Sequence, residues 1–243
     1  MPVVTLSGRH GSPVRAVGVE VARLLGADYV DHTLIMEAAK RVGATVGAVA
    51  EKDERLARGG ERIARAFQRF LERSAAAGSA GDPFMGPTGI EVLLSRSMSE
   101  AAAEPQSAAD QLNDKKMLEV ITSVIQDQAA TGKVVIIGRG SNVILRNKPN
   151  VLHAWVVSAL ETRIADVARR GQITLDAAAQ YIKKFEEGRL AYYKKFHKTD
   201  PGNPDLYHLF LNVDRLGTER TARLIAEAAR EQEQLAAKPK PAS

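Results

Sequence analysis

The sequence contains no cysteine, which excludes disulfides, thiolate catalysis and cysteine-ligated zinc or iron–sulfur centres. Aromatic residues make up only 5% of the chain, and they are not interleaved with cations in the way a nucleic-acid surface requires. No apolar run approaches the roughly 20 residues needed to span a bilayer, so no membrane partner is expected. The opening stretch MPVVTLSGRHG lacks the basic-then-apolar layout of a secretion signal, and a cytoplasmic location is the expectation. Charge of one sign is only slightly in excess: 34 Lys and Arg against 29 Asp and Glu, a net charge of +5. That balance suits an anionic small molecule, or no ligand, at least as well as nucleic acid, which is not the expected partner. What remains is a chain of 243 residues that is 44% hydrophobic and 26% charged. This is the composition of a soluble globule able to bury a sizeable core, and it excludes disorder as the main state.

Short apolar, β-branched runs alternate with helical patterns, the signature of a parallel α/β sheet. Val3 to Leu6 reads as a first strand ending at Ser7-Gly8, and Arg15 to Leu25 as a helix stopped by Gly26. Ala27 to Val30 is a short second strand, with Asp31 where it meets the next helix. Val134 to Ile137, Val151 to Val157 and Leu206 to Val213 complete a set of about five strands, each followed by a helix.

The pattern changes between Thr45 and about Thr131, where Glu, Arg and Ala dominate and no strand is evident. Val49, Leu56, Ile63 and Phe70 recur every seven residues, which predicts an amphipathic helix of roughly 28 residues. Ser74 to Gly89 reads as a loop, and Ile90 to Ala103 and Asn113 to Thr131 as two further helices. The expected organisation is one α/β domain over residues 1–235 carrying a helical insertion at 45–110, with a disordered tail at 236–243.

Two loops have the makings of a phosphate site. Ser7 to Arg15 lies between a strand and a helix, where backbone N–H groups and a helix N-terminus can face an anion. Its residues Arg9, Gly11, Ser12 and Arg15 are the candidates. It departs from the phosphate-loop pattern G-x-x-x-x-G-K-S/T, with Arg15 in the lysine place, Ala16 in the hydroxyl place and Val14 in place of the second glycine. Pro13 offers no N–H and Val14 resists positive φ, so a plain strand–turn–helix connection stays open as an alternative. Gly138-Arg139-Gly140 follows a buried strand, which puts a guanidinium at the carboxyl edge of the sheet, where open α/β folds bind ligands. Arg163, Arg169 and Arg170 fall on one later helix, and Lys183, Lys184 and Arg189 on the next. Joined by Gly171-Gln172-Ile173-Thr174, these form a basic helical hairpin over residues 165–195, read either as a lid or as a solvated face.

Several segments in order resemble the cytidylate kinase-like family, a branch of the P-loop nucleoside monophosphate kinases. They are Gly11-Ser12 with Arg15 and Gly18, Asp28-Tyr29-Val30-Asp31, the GRGSNVIL of residues 138–145, Pro149-Asn150-Val151 and Leu160 to Ile164. RLAYY from Arg189, and Tyr207-His208-Leu209 through Asn212 to Leu216-Gly217, extend the series to about two-thirds of the chain. The resemblance implies a P-loop-type three-layer sandwich of class α/β, with helices on both faces of the sheet. It also implies transfer of the γ-phosphoryl group of ATP, with Mg²⁺, to CMP or dCMP. By the same resemblance, Arg9, Gly11, Ser12 and Arg15 would hold ATP, Asp31 would face the acceptor or its metal shell, and Arg139 would hold the acceptor phosphate. Arg169, Arg170 and Arg189 would close over the transferring group. The family usually has Gly-Gly where this chain has Pro13-Val14, an aspartate where Glu186 sits and a second basic residue where Gly188 sits.

The second function class is a non-catalytic relative that binds a nucleotide or a protein, or forms a homodimer, through the seven-residue repeat of the insertion. None of the five histidines has metal-ligand spacing such as H-E-x-x-H, so no metal site is expected. His197 with Asp200 suits either a metal or a surface turn, and His10 reads as a bystander in its loop. No nucleophile elbow G-x-S-x-G occurs, so hydrolase chemistry has no support.

Overall fold

Val, Ile and Leu crowd into four short runs because side chains on both faces of a central parallel strand must be apolar. In the computed structural model, which describes residues 2–31 and 108–237, these runs and the short segment Asp28–Val30 form one five-stranded parallel sheet. The elements are β1 (Val3–Gly8), α1 (Val14–Leu25), β2 (Asp28–Val30), α2 (Ala108–Thr131), β3 (Val134–Ile137), α3 (Ser141–Ile144) and β4 (Val151–Val157). They continue with α4 (Leu160–Gly171), α5 (Leu175–Tyr192), a π-helical turn at Tyr193–His197, β5 (Leu209–Asn212), α6 (Val213–Leu216) and α7 (Thr218–Ala237). The sheet order is β2-β3-β1-β4-β5, with Val3 paired to both Val134 and Val151.

β1 and β3 are buried at every position, whereas the edge strand β5 alternates between half-buried and exposed. One face of the sheet, formed by Val4, Leu6, Val135, Ile137, Leu152, Ala154 and Val156, packs against Val17, Val21 and Ala22 of α1 and Ala222, Ile225 and Ala229 of α7. Each fully buried aliphatic side chain there contributes about 1.5–3 kcal/mol. Arg230 Nη2 ties the two helices by donating to the Leu24 carbonyl at 2.7 Å. On the opposite face Val3, Thr5, Val134, Ile136, Val151, His153 and Trp155 are buried as well. The result is an α/β sheet with helices around it, the expected three-layer architecture.

The differences from the sequence expectation lie at ends. The last strand starts at Leu209 rather than Leu206, because Pro204–Leu206 forms a 3-10 turn that Asn203 caps by accepting from the Asp205 N–H at 3.0 Å. α2 starts at Ala108, ahead of Asn113, and α7 runs to Ala237, past the expected boundary at 235. The chain divides into two compact units. The first is Met1–Asp31, Ile125–Asp166 and Thr199–Ser243, and the second His32–Val124 and Val167–Lys198. The repeat from Val49 to Phe70, the loop 74–89, the helix 90–103 and residues 238–243 of the tail lie outside the described residues. No helix among the described residues is long and apolar enough to cross a membrane.

Candidate functional site

All five strands run parallel, so their carboxyl ends meet at one edge of the sheet. The chain leaves β1 toward β2 on one side and leaves β4 toward β5 on the other. The crevice outside the ends of β1 and β4 is therefore the topological switch point, where open α/β folds bind ligands. Gly8 marks it: a Cβ there would stand 2.6 Å from the Val156 carbonyl oxygen and 2.5 Å from Val14 Cγ2. Only glycine lets the end of β1 pass this close to β4 and to the start of α1.

The loop that follows is tightly turned. Ser12 N–H donates to the Arg9 carbonyl at 3.1 Å, Gly11 has φ +86°, and Val14 N–H donates to the Ser12 carbonyl at 2.8 Å. Pro13 precedes α1 with no side-chain cap. The two positions that carry Pro13 and Val14 thus add no outward donor, one having no N–H and the other using its N–H inside the turn. Ser12 Oγ, Ser7 Oγ and Ser141 Oγ are enclosed and find no hydrogen-bond partner among the described residues. A buried hydroxyl without a partner fits a phosphate oxygen or a metal-bound water, and Ser12 places one in this loop. Arg9 is exposed beside it.

Arg15 and Asp31, expected to serve the two sides of a transfer reaction, are brought together. Arg15 Nη2 lies 2.8 Å from Asp31 Oδ2 at the end of β2, with the arginine side chain 47% exposed and the carboxylate 7% exposed. Tyr29, beneath them, has its phenol pKa raised chiefly by burial, with the Asp31 charge adding and Arg15 opposing.

Arg139 stands at the carboxyl edge, at the end of β3, as the sequence suggests, but it is held inside at 2% exposure. Its φ is +56°, between Gly138 at +75° and Gly140 at +71°. An arginine in this left-handed region costs on the order of 1 kcal/mol that a glycine would not. Gly138 N–H donates to the Leu6 carbonyl at 3.1 Å, which locks the turn to β1.

At this edge the sequence reading missed Asp214 and placed Arg163 on the right helix but not in its buried role. Arg163, expected on the basic hairpin, is instead 4% exposed in the first turn of α4. Its Nη1 donates to the His10 carbonyl at 2.9 Å and its Nε to the Ser158 carbonyl at 3.2 Å. Asp214, at the start of α6, accepts from Ser158 Oγ and from the Ala159 N–H, both at 2.7 Å. Burial works to raise the Asp214 pKa, but the Ala159, Ser158 and Thr162 donors and the Arg163 charge outweigh it, so the group is held below the ordinary aspartate value. The available signal was Asn212-Val213-Asp214, a cap pattern at the end of the last strand; Asn212 caps α6 by accepting from the Asp214 and Arg215 N–H groups.

Arg169, Arg170 and Arg189 belong to the second unit. Arg169 and Arg170 fall in the last turn of α4, and Arg189 in the last turn of α5, its guanidinium carbon 5.6 Å from the centre of the Tyr193 ring. Both segments are helical, and Thr174 caps α5 by accepting from the Ala177 N–H at 3.2 Å. Among the described residues no group of three or more His, Asp or Glu is arranged to hold a metal. Asp200 serves a turn, accepting from the Gly202 N–H at 2.7 Å. His10, expected as a bystander, is buried at 8% exposure, and it is its carbonyl that is engaged.

Comparison with known proteins shows the family and the fold. A 77-residue stretch is 31% identical to a cytidylate kinase of Methanopyrus kandleri (strain AV19), covering 32% of this chain and 40% of that protein. The structure resembles that of an uncharacterized protein from Eubacterium ventriosum ATCC 27560, with a TM-score of 0.60 at 15% identity, covering 95% of this chain and 98% of that one. At that identity the likeness shows the fold alone. The sequence profile of the cytidylate kinase-like family matches residues 3–215, and the chain belongs to that family.

Proposed function

We propose that the protein is a nucleoside monophosphate kinase that moves the γ-phosphoryl group of ATP to CMP or dCMP. The observation that carries this reading is the loop from Gly8 to Pro13 at the switch point, with its enclosed Ser12 hydroxyl and an arginine at the start of α1. An oxygen of the acceptor phosphate attacks the γ-phosphorus, the bond to the β,γ-bridging oxygen breaks, and ADP leaves. The protein's task is to position the groups and offset their charge. Gly11 and Ser12 face the ATP phosphates with Arg9 beside them. Arg15 exchanges its Asp31 partner for phosphate oxygens, and the released carboxylate faces the acceptor side. Arg139 holds the acceptor phosphate, and Arg169, Arg170 and Arg189 close over the transferring group and keep water out. Ser12 and Asp31 would help to hold Mg²⁺, which would supply charge neutralisation on the transferring oxygens. We place the reaction in the cytoplasm.

One observation favours a second reading. Pro13 and Val14 withhold two backbone donors from the anion. A non-catalytic relative, binding a nucleotide or partnering through the 45–110 insertion as a homodimer, accounts for that loss. The deciding experiment measures diphosphate formation from ATP and Mg²⁺ with CMP, dCMP, UMP and AMP, alongside the Arg15→Ala and Arg139→Ala proteins. Turnover with a cytidine acceptor that falls at least tenfold in both variants is expected. No turnover with any acceptor sinks the kinase reading in favour of the second.

A further inference from the structure

We propose that Arg163 is the positioning residue of the phosphate loop, bracing it from behind through the His10 carbonyl, and that Asp214 fixes the turn from which it acts. The inference rests on the phosphate-loop reading above. A guanidinium brought into the interior must find acceptors to offset its desolvation. Arg163 finds them in two backbone carbonyls on different elements, His10 between β1 and α1 and Ser158 after β4. A lid arginine would remain in solvent.

The choice of carbonyl matters. His10 sits in the loop, and a loop carbonyl oxygen turned toward an anion repels it as strongly as an N–H attracts it. Drawing that oxygen back onto Arg163 fixes the orientation of the peptide planes on either side and sets a permanent positive charge behind the loop. In a loop without the usual Gly-Gly pair, orientation that glycine-rich backbone would supply has to come from outside. Asp214 completes the brace. By accepting from Ser158 Oγ and the Ala159 N–H, it holds the peptide that offers the second carbonyl and sets a carboxylate near the arginine.

The test uses the full chain and three variants, Arg163→Met, Arg163→Lys and Asp214→Asn. Binding of ATP and of inorganic tripolyphosphate is followed by calorimetry, and amide exchange across residues 9–13 by mass spectrometry. Arg163→Met is expected to weaken both ligands about tenfold, the loss that follows when one charge-assisted hydrogen bond is removed. It should raise KM for ATP without a matching rise for the acceptor, and speed exchange across residues 9–13 while leaving α7 at its wild-type rate. Arg163→Lys should recover part of the affinity, because an ammonium reaches one carbonyl but not both. Unchanged affinity and unchanged loop exchange in Arg163→Met overturn the proposal. So does an affinity loss no larger than the loss of folded protein. If Arg163→Met does not fold, the other two variants decide: faster loop exchange than wild type supports the brace, and wild-type rates overturn it. Wild-type protein that binds neither ligand overturns the phosphate-loop reading itself, a failure seen before any variant is made. The brace is then judged on exchange alone.

Discussion

His153 makes the stability of this fold sensitive to acid, and the size of the effect follows from where the ring sits. It projects from β4 into the sheet face beside Thr5, with Nδ1 2.7 Å from Thr5 Oγ1, and stacks on His208 with ring centres 5.2 Å apart. Burial, helped by the charge His208 can carry and opposed by the Leu145 carbonyl, pushes its pKa down from 6.5 to about 4. In the unfolded chain the same ring takes up its proton near the ordinary value. As pH falls below about 6.5 the unfolded state therefore gains a proton that the native state refuses until pH reaches about 4, and stability declines across that window. For a single site with these two values, lowering the pH from about 7 to about 5 removes about 2 kcal/mol. Against a typical total of about 5–15 kcal/mol this shifts an unfolding midpoint visibly. His153→Gln keeps a polar group within reach of Thr5 but cannot titrate. Trp155, the one tryptophan in the chain and a buried one, reports unfolding by fluorescence in urea. His208, lowered by burial, and His197, pushed down by burial to about 4, remain in both proteins. Only the difference between wild type and variant is therefore read. A wild-type loss exceeding the variant's by about 2 kcal/mol is expected. Equal losses in the two proteins would refute the reasoning.

Two further substitutions probe the backbone. Gly8→Ala drives a methyl group against the Val156 carbonyl oxygen at 2.6 Å, an atom of the sheet that cannot yield. It should lower stability by about 2–3 kcal/mol and disturb the loop that begins there, as denaturant unfolding and loop exchange would show; a cost below about 0.5 kcal/mol would mean that β1 and β4 are less tightly apposed. Gln172, exposed between α4 and α5, holds φ +53°. Gln172→Gly should raise the thermal midpoint by relieving up to about 1 kcal/mol, less the entropy that glycine adds to the unfolded chain, and a lower midpoint would contradict the strain.

The sheet was legible because its central strands are short and rich in buried β-branched and other apolar residues, too short and too continuous a run for a surface helix. Val134–Ile137 and Val151–Val157 match the sequence reading to the residue. β5 was legible only in part, since its half-buried alternation blurs where the strand begins and the turn at Pro204 consumes its first expected residues. The site was legible as residue types and positions along the chain, but not as partners. That Arg15 meets Asp31 depends on β2 ending at the carboxyl edge two strands from β1, a fact of sheet order that spacing does not encode. Arg163 was misread for a related reason. In sequence it belongs with Arg169 and Arg170, but its place in the first turn of α4 sets it against backbone carbonyls that leave no trace in a sequence.

The arginines at the carboxyl edge divide by what holds them. The Arg15–Asp31 contact joins a half-exposed cation to a carboxylate only 7% exposed, so one side of the guanidinium stays open to solvent. An entering phosphate, offering two oxygens and a larger charge to the planar guanidinium, would compete with the carboxylate for it. Arg163 is enclosed and bonded to two backbone carbonyls, and exchanging its partners would take a charged donor away from both. The first arrangement suits a group that must change partners each time a ligand binds. The second suits one that must never change them. On the proposed reading, a phosphate loop short of glycine needs both: a cation that can change partners to meet the anion, and a fixed one to keep the backbone turned toward it.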